Sequence, residues 1–424
     1  MSARALLAAL ILLGCDPDPA PVDAGGDPVD AGADAGTDAG ADAGMDAGLE
    51  CATSCGECEA CVEGACVSLG APRPVAALSS GWYHLLAIDD EGGLWVWGEN
   101  DNGQLGLGDT VDRDVATRLG ADAWIAADGG SRHSCAVRAD HTMWCFGANV
   151  HGQLGVGDDV DRDAPAQVGT DTDWVGVACG GLHSCGLRVD GTIWCWGSNP
   201  AGQLGLGDRT GDEHDPVQAG SEAGWATLRA MTRHTCGVRE DRRAFCWGDN
   251  SDGQLGQGDT DDRRSPLPVM AGTSVEALDT GARHTCAIGD AGALFCWGAN
   301  EHGGLGLGDQ LDRAIPERVG SDAWTALGAG FEHSCGVRAD GALFCWGSGM
   351  FDQLGIGSTD VHTEPERVGD GTAWSAVALG YYHSCALDGG GMVFCWGDAS
   401  RGQPGAGPDV GDTRPTPGRV CFAP

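Results

Sequence analysis

A pattern of about fifty residues recurs seven times along this chain, and a period of that length restricts the fold more tightly than any single motif. Aligned on one histidine, the copies place His84, His133, His183, His234, His284, His333 and His383 at intervals of 49 to 51 residues. Around each histidine the same residue types return: Trp, an apolar alternation, Gly-Gly, His-Ser-Cys, Val-Arg, Asp-Gly, Trp-Cys-Trp-Gly, Asn, Gly-Gln-Leu-Gly and Gly-Asp. Short alternating runs between glycine turns are strands, and strands at this period build a propeller or a solenoid. An open stack needs polar capping repeats, and neither end of the array departs from the pattern. The expected fold is therefore all-β: a seven-bladed β-propeller over residues 73–424, closed so that no long strand edge is left open.

The turn Gly181-Leu182-His183, the Asp-Gly-x-x-Trp-Cys-Trp-Gly hairpin and the run Asn199–Asp208 resemble the regulator-of-chromosome-condensation repeat family, over residues 73–420. Kelch repeats share the period but space Tyr and Trp differently after their glycine doublet. The resemblance implies a seven-bladed propeller. It also implies a recognition role, because the family includes a secreted inhibitor that clamps a β-lactamase with one propeller face. A nuclear exchange factor for a small GTPase is another member.

Six repeats carry two cysteines ten apart: Cys135 and Cys145, Cys185 and Cys195, Cys236 and Cys246, Cys286 and Cys296, Cys335 and Cys345, Cys385 and Cys395. A hairpin closed by Ala339-Asp340-Gly341 sets Cys335 opposite Cys345, with Gly341 in the left-handed position of the loop. In the first repeat Leu86 and Val96 replace both cysteines together, which bonded pairs predict and independent buried thiols do not. Each bridge closes a short loop, for about 3 kcal/mol as an upper figure.

The N-terminus points outside the cell. Ala5–Leu13 is an apolar run too short to cross a bilayer, and it suits a signal peptide over residues 1–14. Leu12–Cys15 resembles the bacterial lipobox, which implies cleavage before Cys15 and lipidation of its thiol; an ordinary secretory signal is the alternative. Residues 15–50 hold no aromatic and repeat Asp-Ala-Gly, the composition of an extended acidic tether that cannot bury a core. Residues 51–72 form a Cys-rich segment with Cys51, Cys55, Cys58, Cys61 and Cys66. Its CxxC spacings allow zinc, but an oxidising compartment favours disulfides. Five is odd, so one partner lies elsewhere, and Cys421 is the candidate rather than Cys179 in its apolar run. A net charge of -38 repels phosphate backbones, so no nucleic-acid partner is expected.

No catalytic constellation stands out from the repeat, and no metal or cofactor is expected. The ring of histidines belongs to the repeated turn, where neutral imidazoles bonding nearby backbone account for it better than a metal funnel. Trp194, Trp196, Trp247, Trp297, Trp346 and Trp396 read as core. Acid–arginine pairing accounts for loops such as Asp158-Asp159-Val160-Asp161-Arg162, with weak calcium binding the alternative.

The two residues before each histidine vary most: Trp82-Tyr83, Ser131-Arg132, Gly181-Leu182, Thr232-Arg233, Ala282-Arg283, Phe331-Glu332 and Tyr381-Tyr382. Closing the ring makes repeats six, seven and one neighbours. One face should then carry an exposed aromatic crescent with Arg132, Arg233 and Arg283 opposite, the residue types that dominate binding hot spots. The function expected is a non-catalytic, monomeric propeller that recognises a protein or envelope ligand on that face. Its only attachment to a membrane is lipid, on the outer membrane or cell surface in preference to the inner membrane. The alternatives are an envelope enzyme acting on polysaccharide and a purely structural surface protein. Replacing Cys15 by Ser is expected to move the protein out of the detergent phase in a partitioning assay; unchanged partitioning would exclude lipidation there.

Overall fold

In the third repeat the apolar alternation of Trp174–Cys179 forms the strand nearest the ring axis. His183–Arg188, Ile193–Gly197 and Glu213–Gln218 follow outward, each antiparallel to the one before. The two middle strands are packed on both sides by neighbouring blades, so His183–Leu187 is buried without alternation. The computed structural model describes residues 58–62, 65–371, 373–407 and 411–424. The signal peptide, Cys15, the tether and Cys51 and Cys55 lie outside those residues.

Seven such four-stranded blades follow one another. Two strands each serve two blades: Arg113–Gly129 and Arg313–Ala329 begin as the outer strand of one and end as the inner strand of the next. The outer strand of the last blade, Thr413–Arg419, comes from the chain's own C-terminal end, so no N-terminal strand completes it. Closure rests on contacts between blades seven and one. Val75 N–H donates to Gly391 O at 2.8 Å and Tyr381 N–H to Trp82 O at 3.0 Å, and Trp97 Nε1 donates to Gln403 O at 2.9 Å. The Cys58–Cys421 disulfide spans 363 residues and ties the Cys-rich segment to the end of the chain, which gives Cys421 the partner the odd count required. Beside it Glu59–Val62 and Ala65–Ser68 make a small hairpin.

The core is built from the repeat's tryptophans. Trp97, Trp196, Trp247, Trp297, Trp346 and Trp396 are fully buried between blades, and Trp174, Trp225 and Trp324 meet Trp196, Trp247 and Trp346 edge-on at 6.1, 5.8 and 5.7 Å. Trp194 departs from the expectation. Period-two geometry turns it to the other side of the strand from Trp196. There it is half-buried under the Arg188 guanidinium, 4.2 Å from its ring, while the other side of that guanidinium faces Trp174 at 4.5 Å.

All six ten-spaced cysteine pairs are disulfides. Cys135 is bonded to Cys145, Cys185 to Cys195 and Cys236 to Cys246. Cys286 is bonded to Cys296, Cys335 to Cys345 and Cys385 to Cys395. Each joins residues directly opposite in one hairpin, with Cα atoms 4.1 Å apart. That separation belongs to the narrow pairs of an antiparallel ladder. Gly341 has φ +80° and closes its turn by donating to Arg338 O at 2.9 Å, as the loop requires. Leu86 and Val96 hold the same register in blade one and are buried. The double substitution Leu86→Cys with Val96→Cys is therefore expected to form a seventh bridge, seen as a linked peptide under non-reducing digestion. Two free thiols there would mean that blade one does not share the hairpin geometry.

Candidate interaction face

The turn before each histidine is shaped by the ring it must hold. A Cβ on Gly180 would lie 2.2 Å from His183 Cε1, so the imidazole folds back over bare backbone. Its Nε2 then reaches a hydroxyl on the next blade, which corrects the expectation of a local backbone partner. His84 meets Ser134 at 2.8 Å, His133 meets Ser184 at 2.8 Å, His183 meets Thr235 at 2.9 Å, and His234 meets Thr285 at 3.2 Å. His284 and His333 reach Ser334 and Ser384, each at 2.9 Å. Blade one has Leu85 at the hydroxyl position, and His383 finds Ser80 instead at 2.8 Å. From Ser134 to Ser384 each hydroxyl donates to a carbonyl in the preceding blade, for example Ser184 Oγ to Gln153 O at 2.8 Å. Nε2 is therefore the protonated nitrogen, and these histidines are neutral bridges between blades.

The same turns present the variable pairs. Phe331 stacks on Tyr381 at 3.9 Å; Tyr381 lies 5.0 Å from Trp82, 5.4 Å from Tyr83 and 4.4 Å from Tyr382. All five rings form one cluster. They are half-buried rather than broadly exposed, because each covers its neighbour's face. Burial also drives the phenol groups of Tyr83, Tyr381 and Tyr382 above their ordinary pKa. Phe351 extends the cluster by stacking on Tyr382 at 4.1 Å. Sequence reading passed over it because it stands two residues before Gln353, a column filled elsewhere by Asn102, His151, Asp252 and Arg401.

The arginines do not simply face the aromatics. Arg132 sits beside them: its charge acts on both Tyr83 and Glu99. Arg283 is held by Asp252 at 2.5 Å and Glu301 at 3.0 Å, and Glu332 pairs with His302 at 3.2 Å. Arg233 acts on the neighbouring carboxylate Asp249. Where the first residue of the pair is small, at Ser131, Gly181 and Thr232, the face opens into a cavity of about 280 Å³ walled by Trp82, Tyr83, Arg132 and Leu182.

Beneath the face the channel is polar. Asp128 accepts from Ser79 Oγ and from Cys179 N–H, the latter at 3.0 Å; Asp279 accepts from Ala329 N–H at 2.8 Å and faces Arg229 at 3.6 Å. His133, Cys135 and Cys179 lie close enough to suggest a metal site, but Cys135 is bonded to Cys145 and offers no thiolate. In the loops after Gly-Asp, Asp158 binds Arg162 at 2.7 Å and Asp161 accepts from Asn149 N–H at 2.7 Å, so acid–arginine pairing and capping occupy those acids.

The model of the RCC1-like domain matches residues 170–422, and models of the regulator of chromosome condensation (RCC1) repeat match residues 91–137, 140–187, 75–104 and 125–153. The chain belongs to the RCC1-like family. This RCC1-like propeller is similar to human WBSCR16, with TM-score 0.69 and 23% identity over 77% of this chain and 93% of that one. It is similar also to yeast RCC1 (Prp20), solved bound to Kap60, with TM-score 0.69 and 21% identity over 83% of this chain and 84% of that one. These likenesses are of fold. In sequence, the Ultraviolet-B receptor UVR8 of Arabidopsis thaliana is 37% identical over 59 residues, which is 14% of this chain and 13% of the receptor. The X-linked retinitis pigmentosa GTPase regulator of Mus musculus is 40% identical over 60 residues, 14% of this chain and 6% of that protein.

The buried bridges make the RCC1-like ring sensitive to acid. Burial lowers His84, His133, His183, His234, His333 and His383 to about 3, and His284 to about 4, from an ordinary 6.5. Between those values the unfolded chain binds more protons, so their stabilisation is complete above pH 6.5 and is lost as pH falls toward 3. Six carboxylates act in the opposite sense: burial raises Asp128, Asp279 and Glu99 to about 7 and Asp249 to about 6, and it raises Asp252 and Glu332 above their ordinary range. Seven histidines outweigh six carboxylates. Lowering the pH from about 6.5 to 4.5 is expected to reduce the unfolding free energy by about 2 kcal/mol or more, measured by urea titration. A flat or rising profile would contradict neutral bridging histidines.

Proposed function

We propose that this RCC1-like chain is a non-catalytic recognition propeller that holds a protein partner on the face carrying the histidine turns. The observation that supports it is the aromatic cluster: Trp82, Tyr83, Phe331, Tyr381 and Tyr382 come from three repeats, are assembled into one group by ring closure, and border a cavity through Trp82 and Tyr83. Aromatic side chains grouped around a partly open, desolvated pocket are what binding hot spots are made of. Partners of family members point the same way: yeast RCC1 (Prp20) is solved with Kap60, and its binding to Gsp1p and histones is described. Nucleotide exchange by the family's nuclear member is a regulatory activity carried out on a bound protein, so it too begins with recognition by a propeller. The setting proposed for that recognition is a bacterial envelope, with the chain lipid-anchored through Cys15 and away from cytosolic GTPases. The lipobox-like Leu12–Cys15, the acidic tether and the abundance of cysteine support it.

The test is capture from envelope extract by the soluble propeller, followed by binding measurements on the captured protein. Trp82→Ala with Tyr381→Ala is expected to weaken binding by about thirtyfold or more, a loss of about 2 kcal/mol. The same pair gives up four ring contacts between half-buried side chains, and should cost the fold less than Trp346→Ala in the core, which should cost about 3–5 kcal/mol. Unchanged affinity in the double variant would move the binding site elsewhere.

A further inference from the structure

Six repeats carry a glutamine whose Oε1 accepts the backbone N–H two residues earlier, as Gln153 does from His151 at 2.9 Å. This fixes the amide orientation and leaves Nε2 to find an acceptor. In three blades a carboxylate supplies it: Gln104 donates to Glu99 at 2.9 Å, Gln254 to Asp249 at 2.7 Å and Gln403 to Asp398 at 2.8 Å. In blade four an arginine completes the group, since Arg233 lowers the Asp249 carboxyl against the burial that raises it.

Blade two repeats that arrangement with one member missing. Asp249 N–H donates to Arg233 O at 2.8 Å, and Ala148 N–H donates to Arg132 O at 2.8 Å, so Ala148 holds the register of Asp249 and Arg132 that of Arg233. With a methyl group in place of the carboxylate, Gln153 Nε2 has no partner although the residue is only 1% exposed. Gln153, Ala148 and Arg132 all line the 280 Å³ cavity beside the aromatic cluster. Two more polar atoms without partners belong to residues of the same lining, Thr232 Oγ1 (Thr232 is 1% exposed) and Trp82 Nε1. Each of the three can donate a hydrogen bond, and none has an acceptor. The Arg132 guanidinium lines the cavity too, and its charge acts on the Glu99 carboxylate of blade one. Two more titratable groups line the cavity: Asp161, whose carboxylate accepts from Asn149 N–H at 2.7 Å, and His151, whose Nδ1 meets Asp212 at 2.8 Å. Gln353 Nε2 in blade six also lacks a partner, with Ser348 at the register of Ala148, but Gln153 is the one that lines this cavity with an arginine.

We propose that this cavity receives a carboxylate side chain, an Asp or Glu of the protein partner, in the position that Asp249 occupies in blade four. The proposal rests on the recognition reading above and names the chemistry of its ligand. A carboxylate offers four acceptor sites with no proton to place, and it matches an amide, a hydroxyl and a guanidinium together. A neutral amide side chain would bring its own donors into a pocket that has donors already.

The probe is N-acetylglutamate N-methylamide, titrated into the folded chain at fixed ionic strength beside its glutamine counterpart. The Gln153 side-chain N–H signals are followed by NMR. The glutamate compound is expected to bind at least about tenfold more tightly and to shift those signals. Arg132→Gln should weaken it about fivefold or more. Ala148→Asp places an internal carboxylate at the register of Asp249, so it should abolish glutamate binding while raising the melting temperature. Equal affinity for the two compounds, or binding unchanged by Ala148→Asp, overturns the proposal. Binding of free acetate without binding of the glutamate compound would also overturn it, by assigning the cavity to a small solute. The two readings separate on the captured partner. If Trp82→Ala with Tyr381→Ala releases the partner and Ala148→Asp does not, the carboxylate site fails and recognition stands. If neither variant affects capture, both fail.

Discussion

The hydrogen bond from each histidine Nε2 to a hydroxyl on the following blade is the contact on which the ring depends. It is buried, it recurs at all seven junctions, and the hydroxyl beyond it is itself spent, at six of the seven junctions, on a carbonyl of the preceding blade. A blade does not satisfy its own imidazole, so each repeat depends on its neighbour for that buried hydrogen bond. The junction between blades seven and one shows how strong this requirement is. Leu85 offers no hydroxyl there, and the inner strand supplies Ser80 in its place.

The disulfides solve a different problem. Each of the six ten-spaced bridges lies within one hairpin, so it stiffens a blade and contributes nothing to holding blades together. Ring closure falls to Cys58–Cys421 and to backbone and tryptophan contacts between the first and last blades. Local cross-links restrict the unfolded chain over short loops, whereas the Cys58–Cys421 link restricts it over nearly the whole domain. The tryptophans work at both scales, packing edge-on inside a blade and donating Nε1 to a backbone carbonyl of the preceding blade, as Trp196 does to Gln153 O at 2.9 Å.

The candidate site arises where blades break their own pattern. Small residues at Ser131, Gly181 and Thr232 open the face, aromatic residues at Trp82 and Tyr83 wall it, and Ala148 removes an acceptor that Asp249 keeps. Each deviation is tolerated because the repeat around it is held by the histidine bridges and the disulfides. The rigid ring thus allows a buried donor such as Gln153 Nε2 to remain unpaired, a state that a loosely held loop would relax away.

By itself the sequence determined the repeat length, the strand hairpins, the paired cysteines and the adjacency of Trp82 with Tyr381. These depend on periodicity and on the fact that first and last repeats meet. It could not place the histidine partners, because hydroxyls such as Ser134 lie about fifty residues away and only blade packing brings them within reach. Nor could it show that the aromatic rings cover one another, that Trp194 turns away from the core, or that Arg283 is held between Asp252 and Glu301. Those outcomes depend on side-chain direction and on distances between blades. Tertiary structure alone set Gln153, Ala148 and Arg132 around one cavity, since a missing carboxylate becomes visible only when the equivalent positions of other blades show where it belongs.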